Sequence, residues 1–230
     1  MENITQTFES FLKEREESLS KKTYQKYNNV IELFENYLNG YAYKNLEDEN
    51  YQKFEKMFNQ KGKQYCETFT VQNLSTVEFN EFLSYYMIRK VMGSKSLMKD
   101  TGTVLRKFTT WLHENEYLED KQYEMLYSTI NDLKDDLPKL EELSDLLYEN
   151  GRKNSIYTYD EYKESNYVIN RIEEGKLWLE DYMEQEEIVG PVYVTEEISS
   201  KAQENWSVYL VLGRAENNWY IIESGMVYPY

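Results

Sequence analysis

Three cationic side chains, Lys95, Lys99 and Arg106, stand at helical spacing in the middle of the chain. Residues separated by one or two helical turns lie on the same side of an α-helix, so these charges would share one face. Ser94, directly before them, is a favoured first residue of a helix. Lysine and arginine side chains on one face are typical of phosphate contacts, so this segment is a candidate phosphate-binding surface. Gly102 falls between the cations, where it would leave room beside them.

The rest of the same segment carries apolar residues at the spacing of a buried helix side. They are Met98, Val104, Leu105, Phe108, Trp111 and Leu112. We therefore interpret residues 94–118 as a surface helix with one buried face and one basic face. The alternative is that the charges only keep the helix face in solution, which is the usual role of a charged face.

The charge of the whole chain opposes contact with nucleic acid. The chain has 26 basic and 42 acidic residues, a net charge of -16. An acidic protein approaches a polyanion only where its positive charge is concentrated. Residues 80–112 form such a region, with six basic residues against two acidic ones. Residues 131–230 hold nine basic and 22 acidic residues, so the acidity lies mainly in the C-terminal part.

The residue types that build metal centres, disulfides and catalytic sites are scarce. The chain has one histidine, His113, and one cysteine, Cys66, too few for an internal disulfide or a zinc ligand set. No glycine-rich phosphate loop or nucleophile motif occurs, so we expect no enzyme activity and no cofactor. The longest apolar run is too short to span a bilayer, and the N-terminus lacks the apolar core of a signal peptide. We therefore expect no membrane contact and a cytoplasmic location.

The periodicity of the apolar residues changes near residue 155. Helices are predicted over residues 4–17, 21–38, 46–58, 75–92 and 94–118, with two more over 120–150 that are split at Pro138. Strands are predicted over residues 167–172, 176–180, 191–194, 207–212 and 219–223, with a helix capped by Thr195 between the third and the fourth. Three strands, a helix and two strands are typical of a small OB-like β-barrel, and an SH3-like barrel is the alternative. We predict an α+β chain of two domains, a helical bundle at 1–150 and a small acidic β-barrel at 151–230, with a linker at 150–155.

The N-terminal helices resemble a known DNA-binding domain. The runs that carry the resemblance are TFESFLK at 7–13, SLSKKTYQKY at 18–27, LFENYL at 33–38, LSTVEFNEFL at 74–83 and the segment at 94–118. Over residues 4–120 this order resembles the SAM-like N-terminal core-binding domain of tyrosine recombinases and phage integrases. The resemblance implies a domain that clamps duplex DNA, with its second and fourth helices near the DNA backbone. It would place these residues at DNA: Lys21, Lys22, Thr23, Lys26, Lys95, Lys99, Arg106 and Lys107.

The catalytic domain of that family does not follow. Its chemistry needs a His-x-x-Arg pair and a tyrosine nucleophile among other groups, whereas His113 is followed by Glu-Asn-Glu. We therefore expect a non-catalytic, DNA-binding accessory protein of a mobile element, with duplex DNA as its partner. The alternative is an adaptor that does not bind DNA and docks a protein partner on its acidic β domain. Residues 156–230 favour that alternative, because they hold five basic and 15 acidic residues.

Overall fold

The computed structural model describes residues 2–91, 93–183 and 188–229. The chain divides into two compact units, Met1–Asp135 and Asp136–Tyr230. Among these residues, helices make up the first unit, and the second combines a five-stranded sheet with two helices. The predicted α+β class, with helices before the sheet, is confirmed. Within the described part of the chain, every helix is too short or too polar to cross a bilayer.

Several helices of the first unit begin where a polar side chain caps the first turn. The α-helices are α1 Ile4–Ser18, α2 Lys21–Gly40, α3 Asp48–Lys61, α4 Tyr65–Thr68, α5 Thr76–Glu81, α6 Lys95–Glu114 and α7 Asp120–Lys134. Short 3-10 turns occupy Ala42–Asn45 and Val71–Asn73. Ser20 Oγ accepts the Thr23 N–H at 3.3 Å, and Ser94 Oγ accepts the Leu97 N–H at 3.4 Å. These caps satisfy backbone donors that lack a partner inside the helix, which confirms the predicted starts of α2 and α6.

Aromatic side chains form the core where α1, α2 and α6 meet. The Phe108 ring of α6 lies 5.3 Å from Phe8 and 5.1 Å from Phe11, measured between centroids. Phe34 of α2 lies 6.0 Å from Phe8. All four rings are buried, so the apolar faces predicted for these helices do form the core. Packing of these faces fixes which sides of α2 and α6 remain at the surface.

Residues Phe82–Val91 form a π-helix, where the sequence predicts the continuation of an α-helix. The buried side chains in this segment are the neighbouring pairs Phe82 with Leu83 and Met87 with Ile88. The two pairs recur after five positions, which matches the i to i+5 bonding of a π-helix and exceeds the period of an α-helix. The wider turn therefore keeps both apolar pairs on the core side.

The second unit contains one sheet of five strands. They are β1 Glu161–Glu173, β2 Lys176–Asp181, β3 Ile188–Tyr193, β4 Ser207–Ala215 and β5 Asn218–Tyr228. A short helix, α9 Glu196–Lys201, lies between β3 and β4, and Thr195 caps it as predicted. The strands pair in the order β1-β2-β3-β5-β4, and β1 also pairs with β4, so the ring of pairs closes. All pairs are antiparallel except β3 with β5.

The helix α8, Leu137–Asn154, packs along β5. The parallel pairing of β3 with β5 covers only Trp219 and Tyr220 of β5. Further along β5, side chains of α8 bind the backbone: Asn154 Nδ2 donates to the Ile221 carbonyl at 2.9 Å, and the Val227 N–H donates to Ser144 Oγ at 2.9 Å. These bonds satisfy backbone groups that β3 does not reach.

The helix α8 belongs to the second unit, so the observed boundary between the units lies before this helix and not after it. The predicted boundary at 150/151 and the predicted linker at 150–155 are replaced by a division between Asp135 and Asp136. Gly151, which suggested a loop, is a buried residue inside α8. A Cβ at this position would lie 2.7 Å from the Ile222 carbonyl oxygen, so the helix approaches β5 too closely for a side chain. The glycine reflects close packing of a helix on a strand.

Candidate nucleic-acid interface

The helices α2 and α6 lie side by side, and an ion pair joins their exposed edges. Lys26 Nζ lies 2.9 Å from Asp100 Oδ1, and the two side chains are 43% and 24% exposed. Lys22 precedes Lys26 by one helical turn, and Lys99 is the neighbour of Asp100. The Lys26–Asp100 contact therefore joins the two helices that carry the predicted cations. We call the surface formed by these predicted cations the basic surface; its cations are Lys21, Lys22, Lys95, Lys99, Arg106 and Lys107.

Most charges of the basic surface lack an acidic partner. Lys21, Lys22, Lys99 and Lys107 are exposed, and Arg106 is half-buried. None of these five forms an ion pair with another residue in the described part of the chain. Unpaired surface cations keep their full attraction for an anion, because no neighbouring carboxylate has to be displaced first.

Lys26 differs from the other predicted contacts. Its ammonium group is already paired with Asp100, so a phosphate would have to compete with that carboxylate. The sequence could not show this pair, because the two residues are 74 positions apart. Lys26 therefore ties α2 to α6 through this pair.

The threonines of this surface hydrogen-bond mainly within their own helices. Thr103 Oγ1 donates to the Lys99 carbonyl at 2.9 Å, and Thr110 Oγ1 donates to the Arg106 carbonyl at 3.0 Å. Thr23, a predicted DNA contact, has its hydroxyl 2.9 Å from Ser20 Oγ at the cap of α2. A hydroxyl has only one proton to donate, so Thr103 and Thr110 offer little to a phosphate. The lysines and the arginine remain the groups available for anion contacts.

Gly102 does not open the basic surface as the sequence suggests. It is buried beneath α7, where a Cβ would lie 2.3 Å from Lys134 Cβ and 3.0 Å from Lys134 Cα. These distances are shorter than carbon atoms tolerate, so the glycine allows α6 and α7 to cross closely. The space beside Lys99 and Arg106 is therefore filled by the chain itself.

Two polar residues that sequence reasoning did not single out extend the surface on α2. Gln25 and Asn29 line a shallow depression together with Lys21, Lys22 and Lys26. Gln25 Nε2 donates to Asn29 Oδ1 at 2.8 Å. Their spacing of one helical turn from the lysines was the available signal. Amide groups of this kind hydrogen-bond to phosphate and sugar oxygens in protein–DNA contacts.

The only histidine and the only cysteine have local structural partners. His113 Nε2 lies 2.8 Å from Asp120 Oδ1, and the imidazole ring stacks on Tyr123 with centroids 4.3 Å apart. Cys66 is buried, and burial raises the pKa of its thiol, which keeps it in the unreactive protonated form. No three histidine, cysteine, aspartate or glutamate side chains of the described residues are grouped closely enough to hold a metal ion.

The resemblance to the core-binding domain rests on the sequence runs named above. Comparison of the chain with models of known protein families, with curated proteins and with solved structures finds no match in any of the three.

Proposed function

We propose that the chain is a non-catalytic DNA-binding accessory protein whose first unit contacts the backbone of duplex DNA through the basic surface. The observation that carries this proposal is the meeting of two cationic helix faces, joined by the Lys26–Asp100 pair. Five cations on this surface lack acidic partners among the described residues. Phosphate contacts by lysine and arginine position a protein on DNA without reading its sequence, so we expect binding with little sequence preference.

The arrangement of the first unit supports the proposed kinship with the SAM-like core-binding domain of tyrosine recombinases. In that resemblance the second and fourth helices approach DNA, and here α2 and α6 hold the corresponding sequence runs. These two helices pack on the same aromatic core as α1. The proposed role is accessory because residues 121–230 contain no histidine and so do not supply the His-x-x-Arg pair of recombinase catalysis.

We infer further that the second unit is a small barrel of the OB type. The support is its strand order, in which β1 pairs with both β2 and β4 and the ends of β3 and β5 run parallel. The helix α9 lies between the third and fourth strands, as in the pattern that suggested this fold. The same strand order favours an OB-like barrel over the SH3-like alternative.

The affinity of the basic surface for DNA should depend steeply on salt. Each phosphate that a lysine or arginine neutralises releases condensed counterions. This release makes the slope of log K against log salt concentration more negative by about 0.9. If the five unpaired cations all contact phosphates, the slope of log K against log salt is about -4 to -5. The net charge of -16 adds repulsion, so binding should be measurable at low salt and weak at physiological salt.

The test is fluorescence anisotropy of a labelled DNA duplex titrated with the full chain. The variant Lys22→Glu/Lys99→Glu reverses one cation on each helix. The matched control, Lys56→Glu/Lys121→Glu, makes the same change of net charge at exposed lysines of α3 and α7. We expect the test pair to weaken binding by about tenfold or more and to make the salt slope less steep by about 2. The control pair should change the affinity by less than about threefold.

Two outcomes would refute the proposal. One is the absence of binding to any duplex at low salt, which would favour the adaptor hypothesis. The other is an equal loss of affinity in both variants, because only overall charge would then matter. Circular dichroism of each variant verifies that the helices remain folded.

A further inference from the structure

The outer face of β1, β4 and β5 carries tyrosine and glutamate side chains in register. One row across the strands is Tyr162, Gly213 and Tyr220, and the next row is Glu164, Val211 and Glu223. A third row pairs Asn166 with Tyr209. Alternate residues of a strand point to the same side of a sheet, so Tyr162 and Glu164 share a side, as do Gly213 and Val211. Tyr220 and Glu223 are three residues apart, and the register shift in β5 brings both beside these partners, so the rows form one continuous face. The residues between them, such as Leu210 and Leu212, are buried in the interior.

The aromatic rings of this face are largely accessible. Tyr162 is 58% exposed and Tyr209 is 39% exposed. The Tyr159 ring lies over Gly213, with its centroid 6.1 Å from Tyr162 and 6.1 Å from Tyr220. Gly213 leaves the space that this ring occupies, since a Cβ there would lie 2.5 Å from Tyr159 Cγ. The result is a row of three rings from β1 to β5, in which Tyr162 is exposed, Tyr220 is half-buried and the central Tyr159 is buried.

The two carboxylates between the tyrosines have no cation beside them. Glu164 Oε2 accepts a hydrogen bond from Tyr209 Oη at 3.2 Å, and Glu223 is exposed on the neighbouring strand. Neither forms an ion pair with a described residue. The negative charge of both carboxylates raises the pKa of Tyr209, after the larger effect of desolvation. Carboxylates beside tyrosine rings suit a guanidinium group, which accepts bidentate pairing and stacks on aromatic faces.

The spacing of the face suits an extended peptide. Tyr162 and Tyr220 are two strands apart, which places their backbones about 9.5 Å from each other. A polyproline II segment repeats every three residues, about 9.3 Å. Successive turns of such a segment could therefore contact the two rings, with a cationic side chain over the carboxylate row. Aromatic-lined faces are a common docking surface for this conformation.

We propose that this tyrosine–glutamate face, formed by Tyr162, Tyr209, Tyr220, Glu164 and Glu223, docks an extended segment of a partner protein that is rich in arginine and proline. Charge complementarity selects the occupant, because residues 156–230 carry five basic and 15 acidic residues and repel a polyanion. The inference is independent of DNA binding, since the two surfaces belong to different units. It assigns the second unit a partner chemistry of its own.

The experiment measures binding of a fluorescein-labelled peptide of alternating arginine and proline to the full chain. The variant Glu164→Gln/Glu223→Gln removes both carboxylates of the face. The matched control, Glu174→Gln/Glu197→Gln, removes two exposed carboxylates at the opposite end of β1 and in α9. We expect the test pair to weaken binding by about five- to twentyfold and the control by less than about twofold. Peptides with glutamate in place of arginine should not bind.

A second pair of variants tests the aromatic part of the face. Tyr162→Ala should weaken binding of the same peptide by about threefold or more, because it removes one stacking surface. Tyr157→Ala is the control, since Tyr157 is 63% exposed but lies outside the sheet. If the Glu164→Gln/Glu223→Gln variant and its control weakened peptide binding equally, the peptide would be attracted only by overall negative charge, and the proposal would be overturned. The absence of peptide binding to the unmodified chain would also overturn it. Unchanged duplex DNA affinity in Glu164→Gln/Glu223→Gln would show that the two surfaces act separately, whereas loss of both affinities would overturn that independence.

Discussion

Replacing Gly102 by alanine tests the close crossing of α6 and α7. The sequence suggested that this glycine makes room beside the cations of α6, whereas the structure places it against Lys134 of α7. The two interpretations predict different results for the same substitution. A packing role predicts loss of stability, and a phosphate-binding role predicts loss of DNA affinity in a protein of unchanged stability.

The size of the stability loss follows from two distances. The added methyl carbon would lie 2.3 Å from Lys134 Cβ and 3.0 Å from Lys134 Cα, whereas carbon atoms pack at about 3.5–4.0 Å. The helices must separate by about 1 Å, because one of the crowded atoms belongs to the backbone and cannot rotate away. A contact of 2.3 Å lies at the severe end of overpacking, which costs about 2–3 kcal/mol, and alanine recovers about 1 kcal/mol of helix preference. We expect a net loss of about 1–2 kcal/mol in the free energy of unfolding of the first unit.

Urea denaturation followed by far-ultraviolet circular dichroism measures this loss. Gly40→Ala is the matched control, because no atom lies within 4 Å of a Cβ at that helix end. We expect the control to keep or slightly raise the stability, since alanine restricts the unfolded chain. If Gly102→Ala were as stable as the unmodified protein, the packing account of Gly102 would be wrong.

Three further predictions concern buried polar groups. Ser144→Ala removes the acceptor of the buried Val227 N–H, so we expect the second unit to lose about 1–3 kcal/mol of stability in urea denaturation, and an unchanged value would contradict the role of α8. Burial raises the pKa values of the Cys66 thiol and the Tyr65 phenol, so both remain protonated in the folded chain when the unfolded chain releases its protons. The contribution of Cys66 to stability is then complete below about pH 8.5 and that of Tyr65 below about pH 10, and each falls above that pH by up to about 1.4 kcal/mol per pH unit; stability that stays constant to about pH 11 would refute this. Because the thiol is buried, Cys66 should react with a thiol reagent only after denaturation, and rapid labelling of the native protein would contradict its position in the core.

Local patterns predicted the helices well because each signal lies within one or two turns. Ser20, Ser75 and Ser94 cap helices that begin within one residue of their predicted starts. The π-helix was missed although its five-residue spacing of buried pairs is visible in the sequence. The strands were found but placed too short, since the outer residues of β1, such as Tyr162 and Glu164, carry no apolar alternation with their neighbours.

The candidate site was predictable only in part, because the pairing and packing of its side chains depend on residues far away in the sequence. Residue types and helical spacing identified the cations, and the family resemblance put α2 beside α6. Neither could show that Asp100 neutralises Lys26 or that Lys134 fills the space at Gly102. Both contacts join residues from different helices, so local periodicity contains no information about them.

The contact of α8 with β5 determines where the second unit can be cut. A fragment that starts at residue 156, where the strand pattern begins, would lack Ser144 and Asn154 and would leave β5 with an uncovered margin. Strands with unpaired N–H and C=O groups recruit strands from other molecules, so such a fragment should self-associate. A fragment that starts at Asp136 retains the helix and should remain monomeric in size-exclusion chromatography. The helix α8 thus prevents β5 from pairing with strands of other molecules. This role is separate from any binding activity of the protein.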